Sequence, residues 1–322
     1  MQYGKVPGID KPVSRLVQGT VMISSRNQAD SFALLDAVFE LGCNTFDTAH
    51  IYGGGESERT LGAWIGARGL RQKVVVLDKG AHHSGDRRRV TPFDILADLH
   101  DGLARLKTDC IDLWVLHRDD ESVPVGPIVE VLNEAVQAGK VRAFGGSNWT
   151  HQRIEQANEY AEAHGLIPFA VSSANYSLAE QVVVPWAECI SIAGPTAQAA
   201  RQWYARTQMP VFAWSSLAGG FFSGRFRRDN LETFTDGLDK LAAKCYASEA
   251  NFRRLDRAAE LAKEKGLTVP QVAMAYLMND PLNVFALVGC RTAEEFKANA
   301  QALDVRLTDG ELAWLDLRSQ AR

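Results

Sequence analysis

With 322 residues and 46% hydrophobic content, the chain can form one large domain or two ordinary ones, with material for a sizeable core. Its 35 basic and 39 acidic residues are intermixed and sum to −4, which argues against nucleic acid or an anionic membrane as partner, since either favours a basic stripe. Cys43, Cys110, Cys189, Cys245 and Cys290 stand singly, the start MQYGKVPGIDKPVSR lacks a signal peptide's apolar stretch, and no run approaches the ~18 apolar residues of a membrane span, so a reduced, soluble, cytoplasmic protein is expected.

The Gly-, Pro- and charge-rich start, through Pro12, is expected to form a hairpin or lid at the bottom of the domain. RLVQGTV reads as a first strand, ending at Gly19 and Thr20. Phe32, Leu35, Val38 and Phe39 recur at helical spacing, and Gly42 stops that helix. The short apolar run from Cys43 to Phe46 then ends in Asp47, and Tyr52 follows in a glycine-rich turn. A helix opens at Ser57 with Glu58 in its first turn, where an acid suits the helix dipole. The run from Lys73 to Leu77 has the continuous apolar character of a strand buried on both faces, and it delivers Lys79. Thr91, Pro92 and Asp94 supply an N-cap, a first-turn proline and an acid for a helix to about Leu106. The next apolar run, from Ile111 to Leu116, hands over to His117.

The second half repeats the alternation. VRAFGG leads into Ser147, Asn148 and Trp149; FAVSS leads into Ala174, Asn175 and Tyr176; VFAWSS runs to Ser216. Helices are expected after each, although 177–194 is irregular and broken by Pro185. A loop of about thirty residues, 217–246, far exceeds the usual 2–6-residue connection and marks a functional segment. A helix over 249–265 follows, then one opened by Thr268, Pro270 and Gln271, then the strand VFALVG. Thr292 with Glu295 and Thr308 with Glu311 form capping boxes for the last two helices. Eight strands alternating with helices predict a parallel sheet. The first strand gives only Gly19-Thr20-Val21 instead of a Gly-x-Gly-x-x-Gly turn, which favours a closed barrel over an open doubly wound sheet.

Consecutive strands thus end in Asp47, Lys79 and His117, with Tyr52 just past the first, and on a closed barrel these ends converge. A lysine closing an apolar strand is costly unless paired, and Asp47 is its natural counter-ion. A phenol, with a reference pKa of about 10, needs such a cation to act as a general acid. A cation about 4 Å away at an effective dielectric near 20 is worth roughly 4 kcal/mol. After Asp47's offset, a Tyr52 pKa lowered by about one or two is expected.

These segments resemble the aldo-keto reductase superfamily: FDTAHIYGGGESERTLG is similar to its Asp-plus-Tyr motif, VLDKG to its lysine strand and LHRDD to its histidine strand. The resemblance covers nearly the whole chain and implies a single (β/α)8 TIM-barrel domain over 1–322, with long loops at its C-terminal face. It implies a catalytic set of Asp47, Tyr52, Lys79 and His117, with His117 neutral and orienting the substrate carbonyl. It further implies NADPH/NADP+ in preference to NADH, bordered by Gly19, Thr20 and Asp47. Ser147 and Asn148 match the pair that holds the nicotinamide amide, and Ser173 stands where the family has Gln. Trp214 stands at the stacking aromatic, and Ser215, Leu217, Gly219, Gly220, Ser223, Gly224 and Arg225 resemble the pyrophosphate loop, with Ser216 in place of the usual Pro. Gly289, Arg291, Thr292, Glu295 and Asn299 resemble the 2′-phosphate and adenine contacts, with Glu295 where Gln is common.

The implied substrate is a small-molecule aldehyde or ketone. A pocket of His50, His82, His117, Trp149 and Phe221 or Phe222 suits a sugar-like, polyol-derived or bulky oxygenated compound such as an oxidised fungal toxin. Arg87 to Arg89 read as solvated loop residues, and neither metal, nucleic acid nor membrane is expected. Two alternatives stand beside this reading. One is a cofactor-binding regulatory module, since potassium-channel β subunits share the fold and motifs. The other is a Schiff-base lyase or isomerase on Lys79, disfavoured by the paired Asp47 and by the Trp214 and Arg291 motifs.

Overall fold

The β-branched and aromatic runs read from the sequence become strands that close on themselves. In the computed structural model, which describes residues 1–235 and 237–322, a hairpin of β1 (Tyr3–Val6) and β2 (Ile9–Ser14) precedes the barrel. Among the described residues the barrel has eight parallel strands: β3 (Leu16–Gly19), β4 (Thr45–Asp47), β5 (Val75–Gly80), β6 (Ile111–Leu116), β7 (Val141–Ser147), β8 (Val171–Ser173), β9 (Val211–Ala213) and β10 (Val284–Val288). Pairing of β10 with β3 completes the closure and leaves no sheet edge. The expected (β/α)8 architecture is therefore the observed one.

Around the barrel lie α1 (Gln28–Glu40), α2 (Glu56–Arg68), α3 (Pro92–Leu106), α4 (Val125–Gln137), α5 (His151–Ala163) and α6 (Gln198–Thr207). They continue with α7 (Gly237–Tyr246), α8 (Glu249–Lys265), α9 (Val269–Asn279), α10 (Ala293–Gln301) and α11 (Asp309–Leu315). The hydroxyls of Thr91, Thr150, Thr292 and Thr308 each cap a helix by accepting a backbone N–H from its first turn. The segment expected as a thirty-residue loop is corrected: it carries a 3-10 turn, Ala218–Ser223, and then α7. Ala242, Cys245 and Tyr246 are the buried face of that helix, at the i, i+3, i+4 spacing that specifies one.

Side chains alternate along each strand, and the two parities fill two cores. Val17, Val75, Leu77, Leu113, Val115, Phe212 and Phe285 face the lumen, where Val6, Ile9 and Val13 of the hairpin join them. The expected bottom closure is thus a plug of apolar side chains. Leu16, Phe46, Val76, Trp114, Phe144 and Val288 face outward onto the helices. Among the described residues no helix is long and apolar enough to cross a membrane.

Candidate active site

Following the inward parity one step past the apolar plug reaches Gly19, Asp47, Lys79, His117, Ser147, Ser173, Trp214 and Gly289. Strand register aligns them around the mouth: Gly19 pairs with Asp47, Lys79 with Val115, and Ser147 with Ser173. The strand-end residues singled out in the sequence therefore meet at one end of the lumen.

Lys79 is 3% exposed and ion-paired to Asp47, itself 3% exposed. The Lys79 ammonium also donates to the Thr48 carbonyl at 2.9 Å and to the Tyr52 hydroxyl at 3.4 Å, lying 5.0 Å from the centre of the Tyr52 ring. Burial works against charge on Lys79, but Asp47 and Tyr52 outweigh it and hold its pKa above the ordinary value. His117 sets its ring edge-on to Tyr52 at 6.0 Å and to His82 at 4.9 Å. Burial first, then the charges of Lys79 and Arg118, push His117 well below its ordinary pKa of 6.5, so it is a neutral imidazole. Its Nδ1 is occluded without a partner, which leaves Nε2 as the atom open to a ligand.

The expected lowering of Tyr52 is corrected. Removal of the phenolate from water raises its pKa above 10.0, and the pull of Lys79, opposed by Asp47, does not cancel that. The sequence estimate counted the cation and omitted desolvation. Tyr52 is therefore a protonated phenol, competent to donate.

The residues expected to hold a dinucleotide line the opposite arc. Trp214 is half-buried at the mouth with its indole Nε1 occluded and unpartnered. Beyond it the backbone takes positive φ at Ser215 (52°), Ala218 (54°), Gly219 (62°) and Gly220 (96°), a concentration of unfavourable conformations that marks functional backbone. Arg225 is ion-paired to Asp239 at 2.6 Å. Arg291, exposed at the N-terminus of α10, has no carboxylate within ion-pair distance among the described residues. Glu295 accepts from the Arg291 backbone N–H at 2.8 Å, and the Asn299 amide donates to Cys290 Sγ at 3.3 Å. The Trp214 ring fits an aromatic partner, and the Arg291 guanidinium above a helix N-terminus, with no carboxylate partner among the described residues, fits a phosphate.

Three of these residues are committed inside the protein. Asn148 donates to the carbonyl of His117 (3.2 Å) and accepts from the Ile190 N–H (3.1 Å). The Ser173 hydroxyl donates to the Phe212 carbonyl at 2.9 Å, which leaves its oxygen able only to accept. The Thr20 hydroxyl donates to the Asp47 carbonyl at 2.9 Å.

The expected substrate wall is partly wrong. Phe221 and Phe222 are fully buried, packing with Phe226 and Phe252, because α7 and α8 cover that turn. Trp149 is also buried, stacked near Phe169 with its indole N–H on the Arg118 carbonyl. His50 turns toward α3, at 3.2 Å from Asp101. His82 and His117 remain at the mouth, and Trp186, half-exposed, sets its ring 6.4 Å from that of Trp214. The three arginines read as solvated are ion-paired: Arg87 to Asp94 (2.5 Å), Arg89 to Asp98, and Arg88 to Glu188. Glu188 also lies 2.7 Å from His83, so this loop is tied across the mouth to the irregular 177–194 segment.

Sequence reasoning also passed over Asn175, which donates to the Trp214 carbonyl (3.0 Å) and the Tyr246 hydroxyl (3.2 Å) while accepting from Ser191. Only its place just past a strand end could have flagged it. A groove of about 700 Å³ on the flank, lined by Arg201, Arg254, Tyr276 and Asp316 among others, touches none of the strand-end residues. No cluster of metal-ligating side chains occurs among the described residues.

The family model described as the Aldo/keto reductase family matches residues 15–317. The chain is 27% identical over 313 residues to a putative aryl-alcohol dehydrogenase of Saccharomyces cerevisiae, covering 91% of this chain and 78% of that protein. It is 29% identical over 310 residues to a norsolorinic acid reductase of Emericella nidulans, covering 92% and 73%. An NADP(+) aryl-alcohol dehydrogenase of Phanerodontia chrysosporium is 27% identical, covering 96% and 83%. The fold superposes on a thermostable aldo-keto reductase crystallised with the inhibitor epalrestat, with a TM-score of 0.74 at 20% identity over 99% of this chain and 100% of that one.

Proposed function

The chain belongs to the aldo/keto reductase family, and from that premise we propose that it reduces an aromatic or similarly bulky aldehyde or ketone to the alcohol with NADPH, Tyr52 serving as the acid. It is an NAD(P)H-dependent oxidoreductase of carbonyl and alcohol groups. The single observation that carries the residue assignment is the Lys79 ammonium held between Asp47 and the Tyr52 hydroxyl, 3.4 Å away, beside a neutral His117.

Hydride supply is what a bound nicotinamide contributes. The protein's own part is the proton. Tyr52 keeps its proton until an alkoxide forms next to it, and an alkoxide is more basic than a phenolate, so transfer from Tyr52 runs downhill. Lys79 stabilises the charge that then develops on the Tyr52 oxygen, in a site where burial strengthens that attraction. Asp47 keeps Lys79 charged in the resting site. His117, uncharged, offers Nε2 to the carbonyl oxygen without competing for the proton. The raised Tyr52 pKa makes the phenolate that accepts a proton in the oxidation scarce near neutral pH, so the oxidation rate rises toward alkaline pH.

Arg291, which meets no carboxylate among the described residues, supports NADPH over NADH, because a 2′-phosphate would give it an anion. The fungal relatives' names and the paired rings of Trp186 and Trp214 support an aromatic substrate. The test is to mix protein and NADPH with a panel of aryl aldehydes and ketones and follow nicotinamide absorbance. Turnover is expected, weaker with NADH. Tyr52→Phe should lose about 10²–10⁴-fold in kcat while its NADPH affinity, measured by fluorescence titration, is kept. Tight NADPH binding without oxidation across the panel would favour the regulatory module, and failure to bind either dinucleotide would overturn both readings.

A further inference from the structure

Arg118 follows His117 directly and is 5% exposed. A guanidinium so buried is ordinarily matched by a carboxylate, because an uncompensated buried charge is costly. Two other buried arginines obey this: Arg153 meets Asp119 at 3.1 Å, and Arg254 meets Asp316 at 3.3 Å. Arg118 does not. Among the described residues its guanidinium makes one protein hydrogen bond, from Nη1 to the His117 carbonyl at 2.9 Å, and has no carboxylate within ion-pair distance. Its Nε and Nη2 have no protein acceptor among the described residues, and neither atom is fully occluded.

The neighbouring acids are committed elsewhere. Asp119 is held by Arg153, Asp120 by Arg88 at 3.4 Å and the Ser122 hydroxyl at 2.7 Å, Glu188 by Arg88 and His83, and Asp47 by Lys79. Arg118 is tied to the His117 carbonyl, and its charge is felt at His117, His82 and Tyr52 and at Cys189 of the 177–194 segment. The site therefore keeps one positive charge, next to His117, that no carboxylate among the described residues pairs.

We propose that Arg118 is an anion subsite of the substrate pocket and that the preferred substrate is an aldehyde or ketone carrying a carboxylate. This rests on the reductase reading above. Arginine suits the task because its planar fork accepts a carboxylate through two parallel N–H bonds. The carbonyl end lies between Tyr52 and His117, the carboxylate end against Arg118, and the aromatic body between them.

The test compares 3-formylbenzoate with its methyl ester, which have nearly the same shape and differ by one charge. The wild-type enzyme with NADPH should favour the acid in kcat/KM by at least about tenfold, the gain typical of a charge-assisted hydrogen bond. In Arg118→Gln the ratio should fall to near one, and Arg118→Lys should recover part of it. Because Arg118 also holds the His117 carbonyl, the ratio is the readout, not the absolute rate. A wild-type ratio near one, or a ratio unchanged in Arg118→Gln, overturns the subsite. Calorimetric titration of benzoate into the NADP+-saturated protein reads the site without turnover: binding is expected in wild type and at least about tenfold weaker in Arg118→Gln. If neither aldehyde is reduced but this binding difference holds, the subsite stands and the reductase reading fails. If the ester is reduced as well as the acid, the reductase reading stands and the subsite falls.

Discussion

The two ends of the barrel lumen are built from the same strands, on the same face, two residues apart. Leu77 precedes Lys79, Val115 precedes His117, and Phe212 precedes Trp214. The first member of each pair is in the apolar plug, and the second is at the mouth, about 7 Å further along the strand. At the bottom the lumen itself is filled by apolar side chains, and the charges beside it, Asp112 with Lys11 and Arg71, have their partners within the protein. At the mouth Lys79 is kept buried only because Asp47, the Thr48 carbonyl and Tyr52 receive it, while the Trp214 and His117 nitrogens and the Arg118 guanidinium are left with bonding capacity unused. One end of the lumen maximises stability; the other gives some of it up for groups that can meet a ligand.

The sharpest way to break this division is a matched pair of substitutions. Lys79→Met removes the charge at the mouth and strands Asp47, so it should cost about 3–5 kcal/mol in denaturant unfolding and abolish turnover. Phe285→Ala, which removes a ring stacked on Phe212 at 4.8 Å, should cost a similar ~3–5 kcal/mol. Yet the folded fraction of Phe285→Ala should turn over close to the wild-type rate. Comparable losses of kcat per folded molecule in both variants would refute the separation.

A smaller effect sharpens it through pH. His117 is held neutral in the fold, below the ordinary value of 6.5 that it regains on unfolding. The unfolded chain then binds the proton first as the medium acidifies. Stability is fully present above 6.5 and is lost as pH falls toward the folded value. Thermal unfolding followed downward from neutral pH should show this slope, flattened in His117→Gln and unchanged in Phe285→Ala.

The barrel and most of the mouth were legible in the sequence for one reason: period-two alternation fixes which strand-end residues point inward, and strand ends converge in a closed barrel. Asp47, Lys79 and His117 follow from their places at strand ends, whereas Trp214 is singled out by the resemblance to the family. What stayed illegible depends on packing between distant segments. Phe221 and Phe222 look like pocket walls until α7 and α8 cover them, and Arg87 and Arg88 are exposed as expected, but their pairing with Asp94 and Glu188 appears only once those segments are brought to them. The direction of the Tyr52 shift failed for the same reason, since desolvation is a property of the assembled site.

The smallest expected effect lies behind the mouth, at Asp78. Between Leu77 and Lys79 it points outward, into the layer between barrel and helices, where its Oδ1 accepts the Lys79 backbone N–H at 2.9 Å. Helix α3 presses against it at Gly102, where an added Cβ would come within 2.6 Å of Asp78 Oδ2 and 3.2 Å of Glu58 Oε1. Glu58 in turn receives Arg105 at 2.9 Å. Burial first, then the charge of Glu58, drives Asp78 well above the ordinary carboxylate value of 3.8, and burial raises Glu58 too, which favours one proton shared within the pair. The sign is opposite to that of His117. The stability from this retained proton is full below 3.8 and is lost as pH rises through the folded value. Asp78→Asn keeps the shape, the acceptor for Lys79 and a donor for Glu58, but has no proton to lose. It should match or exceed the wild-type melting temperature at neutral pH, and the gap should widen by about 2–4 °C, the change that 1 kcal/mol produces, on going to alkaline pH. A constant deficit at every pH would mean that Asp78 is charged in the fold, and that the layer behind Lys79, like the mouth, holds its charges in pairs.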